Sequence, residues 1–371
     1  MSKVLVTGGA GFIGSFLVDK LVEKGYEVIV YDNLDRQVHI DGKKPDYLNP
    51  KAKFIRGDVL DYKKLRKVVT TCDYIFHFAS KVGVGQSQYE IKKYVDVNTA
   101  GTANLLNILV NEKNKVKKLV VAGSMSSYGE GLYNCKNCGD VRPPLRSEKQ
   151  LLKKDWELYC PKCNSQLKPI PTPESAIFYC NSIYALTKKE QEEMSLIIGK
   201  TYSIPTVVLR FFNVYGPRQS LSNPYTGVAA IFMSRIKNNR QPVVFEDGLQ
   251  TRDFIYVEDV ADACVLALEK QEASYQVFNV GTGNPVTIKS IAETISKLYN
   301  KNIEPEITNR FRKGDVRHCF ADISKIKKLL GFRPRFSFEE GMKKLIEWAK
   351  TAKAVDYYEK AQKELEEKKL V

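Results

Sequence analysis

Short apolar runs alternate with longer amphipathic stretches along the first 125 residues. KVLVT (3–7) precedes a helical pattern over 12–24, YEVIVYD (26–32) reads as a second strand and KFIRGDV (53–59) as a third. A helix over 61–69 leads into DYIFHFA (73–79), and a helix near 94–111 leads into KKLVVAG (117–123). Apolar runs of this length between helices mark parallel strands covered on both faces. The pattern predicts an α/β chain built on a doubly wound parallel sheet.

The alternation stops over 131–173, which is rich in Pro, Lys and Cys, and then resumes. A helix over 182–198, strand PTVVLRF (205–211), a helix near 228–237 and a short strand PVVF (242–245) follow. Next come a helix over 257–270 and strand QVFNVG (276–281). The last 90 residues read as mostly helical, and the charge run over 354–369 reads as a solvated helix face.

Thr7-Gly8-Gly9-Ala10-Gly11-Phe12-Ile13-Gly14 leaves the first strand and opens the first helix. Gly8 suits a tight turn, Gly11 a close backbone approach to pyrophosphate, and Gly14 close helix–strand packing. The free N–H groups and positive dipole end of the helix would hold the pyrophosphate. Asp32 ends the second strand, where an acid accepts ribose hydroxyls and repels a 2′-phosphate. NAD is therefore expected over NADP, with Arg36 the one nearby residue that argues otherwise. Asp58-Val59 and Phe78-Ala79-Ser80-Lys81 follow later strands and belong to the same expected crevice.

Tyr184 and Lys188 are spaced i, i+4 in a helical segment and share one face. An ammonium beside a phenol favours the phenolate, which predicts a Tyr184 pKa lowered towards neutrality and a usable general base. Ser124, at a strand end, supplies a hydroxyl to hold the reacting oxygen.

The segment 131–173 carries Cys135, Cys138, Cys160 and Cys163, two CxxC pairs. With no long apolar run it is expected to lack a core of its own, and a structural zinc on all four thiolates would staple it. A redox dithiol is the other reading, but neither pair opens a helix after a strand. Zinc ribbons also bind nucleic acid or proteins, which keeps a non-enzymatic reading in view.

Composition adds bounds. The chain has 371 residues and a net charge of +15. The basic residues are scattered, so an anionic small substrate is expected and nucleic acid is not. No run of 18 apolar residues appears and Met1 leads directly into a strand, so neither a membrane span nor a leader is expected; the cytoplasm is the expected compartment.

TGGAGFIG (7–14), HFAS (77–80), VNTAGT (97–102), SMSSYG (124–129), YALTK (184–188), FFNVYGPR (211–218), TRDFIYVED (251–259) and RKGDVR (312–317) span the chain in order. In these segments it resembles the extended short-chain dehydrogenases/reductases, specifically the nucleotide-sugar epimerase/dehydratase family. The resemblance implies catalysis by Ser124, Tyr184 and Lys188. It implies cofactor contacts at Gly8, Gly11, Phe12, Ile13, Gly14, Asp32, Asn33, Asp58, Val59, Phe78, Ala79, Ser80, Tyr184 and Lys188, with Asn98 beneath the cofactor. Ser124, Ser126, Asn213, Arg252, Arg312 and Asp315 are the implied substrate contacts, the last four at the nucleotide end.

The family's dehydratases carry Asp-Glu immediately after the Ser124 position, and its decarboxylases a glutamate nearby. Met125 and Ser126 stand there instead, which points to 4-epimerisation, with a 4-keto-sugar reductase as the enzymatic alternative. The cysteine insert resembles the subgroup of 4-epimerases acting on dTDP-L-rhamnose, with UDP-glucose/UDP-galactose as second substrate class. An insert at the active-site mouth, limiting which sugar enters, is the accompanying expectation. The resemblance further implies an NAD-binding domain over 1–210 and 253–282, a sugar-nucleotide lobe over 211–252 and 283–371, and a homodimer through helices 94–111 and 182–198.

Overall fold

A computed structural model describes residues 1–225, 227–352 and 354–371. Seven parallel strands form the central sheet. Their spatial order is Val277–Val280, Thr206–Phe211, Lys118–Ser124, Tyr74–His77, Lys3–Thr7, Glu27–Asp32, Lys53–Arg56. The order reverses between Lys3–Thr7 and Tyr74–His77, the point at which an open α/β sheet leaves a crevice at its carboxyl edge. Strands such as Lys118–Ser124 and Thr206–Phe211 are buried along their whole length, as expected of strands covered on both faces.

Helix boundaries follow local chemistry. Asp61 caps Tyr62–Val69 by accepting from Lys64 N, and Ser182 caps Ile183–Thr201 by accepting from Ala185 N. The helix expected near 94–111 is interrupted. Ile91–Tyr94 and Gly101–Asn111 are α-helical, and Val95–Ala100 between them winds as a π-turn. Such a turn marks functional segments in many helices, and here it carries Asn98.

Two apolar clusters flank the site. One packs Phe12–Glu23 and Val257–Glu269 side by side on one face of the sheet and also includes Cys319, Ile326, Leu330 and Phe332. The other gathers Val228–Lys237, Ile288–Leu298 and Phe338–Thr351 around Tyr215 and Phe254. The last 90 residues are less helical than expected, because 299–323 is irregular, with turns and the two-residue strands Glu306–Ile307 and His318–Cys319.

The insert departs from expectation. Leu132–Cys135, Gly139–Val141 and Lys168–Ile170 form a three-stranded antiparallel sheet, and Tyr133, Val141, Leu158 and Leu167 bury a small core with Cys135 and Cys160. The core is assembled from residues scattered in sequence, so no apolar run announces it. Among the described residues no helix is long and apolar enough to cross a membrane.

Candidate active site

Parallel strands present their carboxyl ends on one edge, and a cavity of about 600 Å³ runs along it. Gly8 has φ +70° and lies so close to the next strand that a Cβ would sit 2.8 Å from Ala79 N. A Cβ on Gly14 would meet Gly8 O at 2.3 Å, so the turn and helix pack only as glycine. The helix Phe12–Glu23 has no side-chain cap and no acid in its first turn, leaving its N–H groups and positive end for an anion. Asp32 accepts from Ala10 N at 3.1 Å and Leu34 N at 2.9 Å, which orients its carboxylate and leaves lone pairs for hydroxyl donors. This donor set fits a dinucleotide.

Tyr184 enters the cavity from the second position of its helix, and Lys188 lies one turn on. Ser124 ends its strand and accepts from Ser126 N at 3.2 Å, so its own proton is free for the Tyr184 oxygen. Burial raises the Tyr184 pKa above its ordinary value, and the Ser124 hydrogen bond pulls it back only in part. This corrects the expected phenolate. Burial lowers Lys188 to about 7, the Glu192 carboxylate offsetting it only in part, and its Nζ bonds Gln191 Oε1 at 2.7 Å. A lysine pushed down this far offers the neighbouring phenol less positive charge in the ligand-free chain.

At the far end, Asn213, Arg252, Arg312 and Asp315 line the same cavity. Arg312 lies over the Phe245 ring at 4.2 Å. The Arg312 Nε and Asn213 Oδ1 are buried without a partner in the ligand-free chain.

Residues 4–148 match the NAD dependent epimerase/dehydratase family, and residues 165–345 match GDP-mannose 4,6 dehydratase. The chain is 34% identical to the dTDP-L-rhamnose 4-epimerase of Burkholderia thailandensis, covering 93% of this chain and 94% of that one. It belongs to the NAD-dependent epimerase/dehydratase family. Among solved structures, this family member is similar to the UDP-glucose 4-epimerase of Thermotoga maritima with UDP-glucose, at 32% identity and TM-score 0.77, covering 94% and 98% of the two chains. A UDP-glucuronic acid 4-epimerase from Bacillus cereus, in complex with UDP-glucuronic acid and NAD, matches with TM-score 0.72 at 28% identity, covering 94% and 99%. These relatives are NAD-dependent nucleotide-sugar epimerases, and this chain is an enzyme of that kind.

In this epimerase-family chain the remaining expected cofactor residues, Asn33, Asp58, Val59, Phe78, Ala79 and Ser80, also reach the cavity wall, as does Ser126. Asn98 does not. It is fully buried behind the wall, where it bonds the Lys81 backbone in both directions, at 2.7 and 3.1 Å, and Thr187 Oγ1 at 3.0 Å. Arg36 is exposed and off the wall, while Asp35 and Gln37 line it.

Other wall residues escaped sequence reasoning. Tyr358, Ala361, Gln362 and Leu365 come from Tyr358–Glu367, the helix expected to be only solvated. Ala361 and Leu365 bury its inner side, and Glu364 accepts from both Tyr89 and Tyr225. The i, i+4 pair Ala361/Leu365 was the available signal, masked by the charges around it.

The four insert sulfurs lie within 4.8 Å of one another. Gly139 (φ +74°) and Asn164 (φ +58°), each just after the second cysteine of its pair, take the left-handed conformation that folds each CxxC back on itself. Tetrahedral thiolates on zinc at about 2.3 Å stand roughly 3.8 Å apart, so the cluster fits such an ion. No insert residue lines the cavity wall.

Proposed function

We propose that the chain is a nucleotide-sugar 4-epimerase that keeps NAD bound through turnover and acts on a dTDP-hexose, dTDP-L-rhamnose first. The carrying observation is the trio Ser124, Tyr184 and Lys188 at the sheet's carboxyl edge, with Met125 and Ser126 where a dehydratase holds its acids. The Met125 side chain packs into the sheet's apolar cluster and has no proton to give a leaving hydroxyl, which removes the acid that dehydration requires.

Gly8, Gly11 and Gly14, the first-helix N-terminus and Asp32 would hold NAD, with Asp58, Ala79 and Lys188 as further contacts. Bound there, NAD would supply a reversible acceptor for the hydride of sugar carbon 4. Ser124 donates to the sugar 4-oxygen and orients it. Ionised once the site is loaded and Lys188 is charged, Tyr184 takes the 4-hydroxyl proton as the carbon is oxidised and returns it when the ketone is reduced on its other face. Arg252 and Arg312 suit the diphosphate through forked, permanently charged donors, and Asp315 suits a ribose hydroxyl. These two arginines support the anionic small substrate inferred from net charge.

The four-thiolate cluster supports a structural zinc with no position open to substrate. Val95, Leu186 and Ile197 are exposed on the helices expected to form the dimer, which supports a homodimer through that face.

Incubating the protein with dTDP-, UDP- and GDP-hexoses, without added reductant, tests the reading. Conversion of dTDP-L-rhamnose to its 4-epimer is the expected result. Turnover of UDP-glucose alone would move the assignment to the second substrate class. Product only with added NADPH would make the chain a reductase, and salt-sensitive retention on polynucleotide without turnover would make it a binding protein.

A further inference from the structure

The insert touches the active site indirectly. Between its two cysteine pairs it carries Arg146, buried, whose guanidinium forks onto the Glu246 carboxylate with two bonds of 2.9 Å. The same Nη2 donates to the Asp315 carbonyl at 3.2 Å, and Nη1 donates to Trp156 O at 3.1 Å. Glu157, also from the insert, holds the fully buried Arg317 at 2.6 Å, and Arg317 returns to Glu246 at 3.0 Å. From the cavity side, Arg252 donates to Val316 O at 2.6 Å and Arg317 O at 3.1 Å.

The segment 312–317 is thus gripped from both sides, by Arg252 within the cavity and by Arg146 from the insert. We propose that Arg146 is a positioning residue for the nucleoside diphosphate end of the substrate. It fixes Glu246 and the Asp315 backbone, so that Arg312 and Asp315 keep their place on the wall. The four cysteines close the loop that carries Arg146 and Glu157, which gives the insert a task in binding although it contributes nothing to the cavity lining. The proposal rests on the reading that Arg312 and Asp315 meet the nucleotide.

The test compares the full-length protein with Arg146→Met, Arg146→Lys, Glu157→Gln and Arg312→Ala, measuring UDP, dTDP and NAD binding by calorimetry. Arg146→Met is expected to weaken the preferred diphosphate roughly tenfold, the loss of a charge-assisted hydrogen bond, with NAD affinity unchanged. Arg146→Lys falls between, because a point charge cannot fork onto two acceptors. Glu157→Gln, at the rim of the cluster and safer for folding, shifts the diphosphate in the same direction by roughly threefold. If Arg312→Ala weakens the diphosphate while both Arg146→Met and Glu157→Gln bind like wild type, the positioning role is wrong. If Arg312→Ala also binds like wild type, the nucleotide reading itself fails. Equal losses of NAD and diphosphate in both insert variants would reduce the cluster to general stability and overturn the proposal.

Discussion

Gln191 Oε1 accepts from Lys188 Nζ at 2.7 Å, and the Gln191 amide passes on to Thr102 Oγ1 at 2.8 Å. Thr102 donates its only proton to Asn98 O at 2.6 Å, so His77 Nε2, 3.0 Å away, must be the donor to Thr102. His77 Nδ1 is then the acceptor for Thr7, whose oxygen takes the Phe78 and Ala79 N–H groups, each at 3.2 Å. One buried chain of hydrogen bonds joins the glycine turn to the proposed catalytic lysine. Burial holds His77 near 3, neutral at any working pH, as this pattern of donors requires.

Gln191→Leu keeps the volume and removes the lysine's partner. Expected is a kcat about tenfold lower with a KM changed less than threefold, since about 1.4 kcal/mol of orientation is lost from the reacting group and none from the substrate's nucleotide end. Steady-state kinetics on the substrate found in the panel would check it. A raised KM with unchanged kcat would place Gln191 in binding instead.

Tyr184→Phe should lower turnover by roughly 10³-fold, the usual worth of a positioned acid/base, while NAD still binds. Because burial raises the free phenol, ligand-free protein should show no phenolate absorbance from Tyr184 at pH 9. A phenolate signal there that vanishes in Tyr184→Phe would contradict the structure.

Glu157 is held near 2 by the His318 ring, 3.8 Å away, and by the Arg317 guanidinium. Its folded pKa lies below the unfolded value, so its stabilisation is complete above about 4.5 and disappears as pH falls towards 2. Glu157→Gln should therefore flatten the acid limb of stability between those values and change little near pH 7 beyond the loss of the pair itself. Urea unfolding at pH 3 and pH 6 measures the difference.

One zinc per chain should copurify. Removal by a strong chelator, or replacement of Cys135, Cys138, Cys160 and Cys163 by serine, should lower the unfolding temperature and leave NAD affinity within about twofold, because the thiolate cluster lies outside the central sheet. Elemental analysis paired with thermal denaturation decides. Full stability in metal-free protein would show that the small core around Tyr133 and Leu167 suffices alone.

Ile197 is 61% exposed on the helix proposed to face a second copy. Ile197→Asp should convert dimer to monomer in sedimentation without unfolding the chain, since no native contact of the protomer's core is removed. A wild type that sediments as a monomer would remove the dimer from the account.

Local patterns carried much of this protein. The strand Lys118–Ser124 and the helix Val228–Lys237 were legible because burial on a sheet or against a helix imposes a period that residues display in order. The glycine turn and the Tyr184/Lys188 pair were legible for the same reason, since backbone approach and helical spacing are set within a few residues. The inner side of Tyr358–Glu367 was missed because two apolar residues among many charges give no period strong enough to read.

By itself, then, the sequence determined the α/β alternation, the dinucleotide turn, the shared helix face of Tyr184 and Lys188 and the two cysteine knuckles, all features set by near neighbours along the chain. Only the tertiary structure decided that burial raises the Tyr184 phenol in the ligand-free chain, that Lys188 answers to Gln191, and that Arg146 reaches Glu246 and Asp315. Charge states and grips of this kind depend on burial and on partners up to 169 residues apart, and desolvation and distance exist only once the chain has closed on itself.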